Sequence, residues 1–343
     1  MCSTECWTNE SAFMAEGASP VAISQPGGWA ILRRSRVSML ALWFLVGLVL
    51  IAVLVPPFLP EQLKLTSKDS LLPPGTACTS APGLIYLCGT DVNGHDLFYR
   101  LLTGAQVSLG VGLVGALLSL IVGTLYGMIS GFAGGRLDAF MMRVLDVLYS
   151  VPRILFIMIF IAALGPYLTE WLDGLRLWAQ GHGWTTLEDL MVTAIRYSRI
   201  IIMVICLGLV EWLTMARIVR GQVLVLREMT FVTAARAMGQ SGASILRLHL
   251  LPNLTTVVLT YLTLTIPAVI LDESFLSFLG LGIDDPAASW GSLLKDGAQV
   301  INPIDSKWWL LFFPATLMSI TLLALNFLGD GLRDAFDPRS RSR

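Results

Sequence analysis

Long apolar runs without charge alternate with short polar stretches along the chain. Residues 37–59 (VSMLALWFLVGLVLIAVLVPPFL) hold no Asp, Glu, Lys or Arg, and neither does 101–135. A helix needs about 20 mainly apolar residues to cross roughly 30 Å of hydrocarbon. Part of 101–135, 250–271 and 308–329 pass that test as clearly as the first run. Two weaker runs, about 144–165 and about 199–219, carry Arg153 and Glu211. The pattern predicts an all-α, polytopic membrane protein with six transmembrane helices. The first run begins after 36 residues, and it exceeds the roughly 7–15 residues of a signal-peptide core. It is therefore read as a retained helix.

Composition fits: 55% of the residues are hydrophobic and 14% charged, against about 25% charged in soluble domains. The predicted plan is a tail at 1–36, a first helix at 37–59 and an external loop at 60–100. A five-helix unit at 101–330 follows, then a tail at 331–343. Within that unit lie an external insert at 166–198, rich in Trp and Leu and read as an outer-interface helix, and a cytoplasmic loop at 220–252. Six crossings put both termini on one side. With the termini cytoplasmic, the inner segments hold 15 Lys and Arg and the outer ones 8, the sense of the positive-inside rule. All four lysines fall outside, for which we have no physical account.

Candidate chemistry is sparse. The chain contains no Gly-Lys pair and so no phosphate-binding P-loop. His95, His182 and His249 are scattered, no Cys/His metal set occurs, and no G-x-S-x-G elbow is present. No catalytic, cofactor or metal residue is predicted. A net charge of −1 with no basic domain gives no footprint for nucleic acid. Cys78 and Cys88 share the external Pro/Gly-rich loop, and either a disulfide or two thiols fits there. Cys206 reads as a packing residue, and Cys2 and Cys6 as tail residues. Glu211 is the candidate intramembrane functional charge, facing a pathway or pairing with Arg217. Asp146 and Arg153 share a face and read as inner-interface residues. Asp272 and Glu273 end the fifth run.

One polar stretch lies between the fourth and fifth runs: FVTAARAMGQSGASILRLHLLPN, residues 231–253. Residues 227–238 read as a short helix that Gly239 ends. Ser241 or Ser244 caps a second helix, ILRLHLL. Pro252 and Asn253 then mark a bend into the fifth run. The alanines make the first helix slim, which suits a groove on another protein. The alternative is an amphipathic helix lying on the membrane.

At this point the residues carry a resemblance. TAARAMG…ILRLHLLPN (Thr233 to Asn253) is similar to the EAA loop of binding-protein-dependent ABC importer permeases. Gly89–Leu109, Gly131–Pro152 and Glu273–Gly297 resemble the other signature blocks of that family. Thr233 stands where the family has Glu, His95 where Arg is usual, and Asp285 in place of a Pro. The combination, with one extra N-terminal helix, resembles the C-type permease of dipeptide/oligopeptide importers. The resemblance implies a type I ABC importer permease fold with a cytoplasmic coupling helix. Phe231, Thr233, Ala234, Ala235, Met238, Gly239, Leu251 and Pro252 would then form the ATPase-coupling interface. It implies a homologous second permease, two ABC ATPase subunits that use the ATP, an extracytoplasmic substrate-binding protein and surrounding lipid, in a bacterial inner membrane. Peptide is the expected substrate, with nickel or an opine as the alternative. A stand-alone secondary transporter would favour internal inverted repeats, and none is convincing here.

Overall fold

The computed structural model describes residues 32–64, 69–78, 83–283, 287–302 and 305–336. Cys2, Cys6 and Asp285 lie outside these. Six described helices are long and apolar enough to cross a membrane. They are α1 (Arg36–Phe58), α2 (Leu97–Ala133), α4 (Arg153–Gly181), α6 (Ser198–Leu226), α8 (Gly242–Phe278) and α10 (Trp309–Phe336). Among the shorter described helices are α3 (Gly135–Ser150), α5 (Thr185–Arg196), α7 (Thr230–Ala237) and α9 (Trp290–Val300), besides one turn at Glu61–Lys64. We call the end of the bundle with α7 the loop end. The other, with residues 69–78, 83–96 and α9, is the cap end.

The centre of the bundle is the α2–α6 pair, its most extensive interface. Glycines allow the approach. A Cβ on Gly123 would stand 2.8 Å from the Trp212 carbonyl oxygen, and one on Gly127 2.5 Å from that of Ala216. Lipid tails are as apolar as leucine, so helices in a bilayer associate through such close packing rather than through a hydrophobic drive. Around this pair, Val204, Leu207, Val210 and Val269 form one buried cluster, and Val219, Val223, Val232 and Leu254 another.

The third crossing is not the single run expected at 144–165. It breaks between α3 and α4, where Val151 and Pro152 are extended (φ −83°, ψ 131° and φ −55°, ψ 122°). Proline pushes its predecessor out of helical geometry and starts a new helix readily, because its missing N–H has no partner to lose there. Helix α4 then runs on through Pro166 to Gly181, about 43 Å at 1.5 Å per residue. The insert at 166–198 is thus a helical hairpin of the α4 tail and α5, and α5 buries no residue.

The helix does not break at Pro252. Helix α8 is continuous from Gly242, with a π-helical turn at Leu246–Leu250 just ahead of Pro252. The wider turn gives room to a proline ring that has no N–H to donate.

At the cap end, Asp91 accepts from the backbone N–H of Asn93 and His95 at 2.9 and 2.8 Å, and from Arg100 Nη1 at 2.5 Å. Burial alone would raise its carboxyl. The bonds from His95 and Arg100 together outweigh burial and hold it below the usual range. The disulfide considered for Cys78 and Cys88 is not formed. Both are free thiols: Cys78 Sγ lies 3.1 Å from Tyr86 Oη, and Cys88 packs in a separate cluster with Leu97 and Trp309. Burial, with the nearby Asp96 charge, pushes the Cys88 thiol up to about 11.

Candidate coupling loop and intramembrane charge cluster

Helix α7 lies across the loop end. Gly239 follows it with φ +78°, and the Gln240 N–H donates back to the Ala235 carbonyl at 3.1 Å. This is a Schellman end, which needs a residue free to adopt left-handed geometry. Ser241 caps α8 by accepting from the Ser244 N–H at 3.3 Å. Loop and helices form one body. Val232 and Ala235 are fully buried against Val219, Val223, Ile245 and Leu254. Arg227 Nη1 donates to the Gly131 carbonyl at 3.0 Å, and the Arg236 guanidinium sits 5.3 Å over the Phe132 ring.

The predicted interface residues therefore divide. Phe231, Thr233, Ala234, Met238, Gly239, Leu251 and Pro252 are exposed. Ala235 is not: it faces the bundle, because it shares the inward face of α7 with Val232, three residues away. Thr233 Oγ1 donates to the Thr230 carbonyl at 2.9 Å within its own helix. Met238 is 72% exposed, and with Phe231, Leu248 and Leu251 it leaves an apolar surface facing away from the core.

Just above the loop, Arg220 donates Nε and Nη2 to the two carboxylate oxygens of Asp138, each at 2.6 Å. Ser130 Oγ donates to the same carboxylate at 2.5 Å. The Arg220 hydrogen bonds hold the Asp138 carboxyl below its ordinary range. One fork thus ties α2, α3 and α6 together beside the loop. Paired guanidinium–carboxylate geometry of this kind is directional. Nothing local in the sequence marks this pair, since Asp138 and Arg220 are 82 positions apart.

Glu211 stands near the middle of α6. Its partner is Arg153, not Arg217, which instead pairs with Asp146 at 2.9 Å. Arg153 Nη1 donates to Glu211 Oε1 at 2.5 Å, and Nη2 donates to Asp272 Oδ1 at 2.6 Å. Arg153 is therefore not at an interface, as its position near the start of the weak run suggested. The helix break places the first residue of α4 at the depth of mid-α6. Next to it on α8, Glu273 faces elsewhere and is fully buried. It accepts from the hydroxyls of Ser277 (2.7 Å), Ser108 (3.1 Å) and Ser274 (3.2 Å). Ser108 in turn accepts from the Trp290 N–H at 3.2 Å, which fastens α9 to α2 and α8.

Known proteins align with these features. Residues 123–342, which include α7 and the Arg220–Asp138 fork, match the family described as binding-protein-dependent transport system inner membrane component. The chain belongs to this family. Residues 28–74 match the N-terminal transmembrane domain of oligopeptide transport permease C. The permease is 37% identical over 313 residues to the dipeptide transport system permease protein DppC of Bacillus subtilis, covering 91% of this chain and 85% of that one. It is 39% identical over 313 residues to the oligopeptide transport system permease protein OppC of Escherichia coli K12, covering 90% of each. A solved structure titled as an inward-facing conformation of the MetNI methionine ABC transporter superposes with a TM-score of 0.51. It shares 16% identity and covers 70% of this permease and 98% of that chain. The fold is thus that of a type I ABC importer permease.

Proposed function

We propose that this permease forms, with a homologous second permease, the pathway of an ATP-driven peptide importer of the inner membrane. Two ABC ATPase subunits would dock at the loop end, which faces the cytoplasm with both termini. An extracytoplasmic binding protein would deliver dipeptides or oligopeptides at the cap end. The single observation that carries the coupling role is the two-sided loop: exposed apolar side chains at Phe231 and Met238 on α7 and Leu248 at the start of α8, with the other side of α7 locked into α6 and α8. Force on that surface moves helices rather than a loose segment. The cavity is then rocked between inward and outward access, and this chain transmits a coupling free energy without binding ATP itself. The peptide assignment rests on the DppC and OppC relatives. A nickel or opine cargo would give the same fold.

The test is reconstitution with ATPase and binding protein in proteoliposomes. Ala234→Glu and Met238→Glu are expected to abolish peptide-stimulated ATP hydrolysis and uptake while the chain remains in the membrane. Intact stimulation in both variants overturns the docking role. Peptide uptake by the purified chain alone would make it a secondary transporter, and uptake of nickel but not peptide would replace the cargo.

A further inference from the structure

The Arg153–Glu211–Asp272 cluster lies beside a cavity of about 290 Å³, lined by Tyr149, Ser150, Arg153, Phe156, Glu211 and Thr214. Its formal charges do not cancel: one guanidinium meets two carboxyl groups, which also lie against each other. Glu211 and Asp272 are buried, and Asp272 Oδ2 has no hydrogen-bond partner among the described residues. The helix termini leave this sum unchanged. The C-terminus of α3 and the N-terminus of α4 meet at the break, and their partial charges of about −0.5 and +0.5 oppose each other. The Arg153 side chain is 48% exposed at this depth. A charged group midway through a bilayer is costly against lipid and is found facing protein or a water-filled cavity. Its face of the bundle therefore belongs to the pathway side. The least buried spanning helix, α4, lies there too.

We propose that this cluster is a cation-accepting site in the pathway wall, and that it favours peptides carrying more ammonium than carboxylate groups. This rests on the peptide reading above. A passing ammonium meets the Glu211 carboxylate at the cavity, with the Phe156 ring beside it, and supplies the positive charge that Arg153 leaves short; the Tyr149 ring already carries the Arg217 guanidinium at 4.3 Å. A peptide of net negative charge meets an uncompensated carboxylate in a medium of low dielectric, where repulsion is strong. The site sorts cargo by charge after the binding protein has delivered it.

Uptake of three tripeptides, Ala-Lys-Ala, Ala-norleucine-Ala and Ala-Glu-Ala, tests this in proteoliposomes holding the whole transporter. Each is supplied at a concentration that saturates the binding protein, so delivery is equal. The wild type is expected to move the lysine peptide about tenfold faster than the glutamate peptide, equivalent to about 1.4 kcal/mol. The norleucine peptide, with equal numbers of ammonium and carboxylate groups, should fall between the two, and uptake equal to that of the lysine peptide would overturn the preference for net positive charge. Glu211→Gln and Asp272→Asn should each bring the lysine-to-glutamate ratio towards one. Size-exclusion chromatography of the complex controls for assembly. A wild-type ratio of one or below overturns the proposal without need of any variant, and this is the result if a bound proton already neutralises the cluster. A wild-type ratio that persists in both assembled variants overturns it as well. If the wild type moves none of the three, the peptide reading itself falls, and the cation site with it.

Discussion

The two ends of the bundle differ in emphasis, although Ile85 and Leu87 are exposed at the cap end and Ser130 and Asp138 are buried beside the loop end. At the cap end, polar groups turn inward. Thr90, Asp91, Arg100, Glu273 and Ser289 are all buried, and Trp290 is fully enclosed. Their hydrogen bonds cross from one element to another, as in Ser108 to Glu273 and Trp290 to Leu101. At the loop end, apolar groups turn outward, with Met229, Phe231, Met238 and Leu248 all exposed. A buried polar network is costly to disturb, since each group that loses its partner is left desolvated. An exposed apolar surface costs little to keep and gains when a partner covers it. The difference separates a cap held by buried polar bonds from an exposed apolar surface, the one proposed above to dock, with the glycine-packed α2–α6 pair connecting them.

That connection is where the largest effect is expected. Gly127→Val would drive side-chain atoms against the Ala216 carbonyl and the Arg220 nitrogen, at 2.5 and 2.9 Å for Cβ alone. Overpacking costs about 1–3 kcal/mol where side chains give way, and backbone gives way less. Loss of folded chain from the membrane is expected by quantitative immunoblot. Gly110→Val, where a Cβ meets nothing within 4 Å, should accumulate normally. Equal loss of both would mean that the packing of α2 on α6 is not what joins the ends.

Next in size is Glu273→Ala, which strands the Ser108, Ser274 and Ser277 hydroxyls in a buried site. Each lost partner costs about 1–3 kcal/mol, so a melting temperature lower by several degrees is expected in detergent. Little change would show that the cap does not depend on its network.

Asp96 gives a smaller effect with a definite sign. It caps α2 through the Phe98 and Tyr99 N–H groups, but burial outweighs those bonds and raises its carboxyl to about 6. The folded cap thus holds this proton more tightly than the unfolded chain does. Stability should fall as pH rises from the ordinary value near 3.8 to about 6, and level off beyond. Asp91, held low, acts oppositely, and its contribution is complete once pH exceeds its ordinary value of 3.8. A melting series from pH 4.5 to 7 therefore spans the Asp96 titration with Asp91 already constant, and the part of the slope that Asp96→Asn removes is the contribution of Asp96.

The smallest expected effect lies at the other end. Leu248→Ala, at a side chain that is 61% exposed, should change the stability of the isolated chain by no more than the roughly 0.5 kcal/mol typical of surface positions, read as a nearly unchanged melting temperature. The same change should weaken ATPase stimulation in the assembled complex. A large loss of stability instead would move Leu248 from docking surface to core.

Much of this was legible from the sequence for physical reasons. Runs of uncharged residues at bilayer length have few other places to go, so the all-α membrane class and the existence of the crossings followed from pattern alone. Gly239 marked a helix end because few other residues take φ +78° without strain. The pairing of charges was not legible. Glu211 had Arg217 six positions away on its own helix, yet its partner lies 58 positions away on another. Arg153 reads as an interface residue until the break at Val151–Pro152 sets its depth. Ala235 belongs to the loop's motif, but only the rotation of α7 against α6 and α8 turns it inward. Cys78 and Cys88 share a loop, and only the folding of that loop around Tyr86 sends their thiols to different clusters. Hydrophobic length and backbone conformation are local properties, written residue by residue. The facing of a side chain and the partner of a charge depend on how separate helices meet, and the tertiary structure alone decided those.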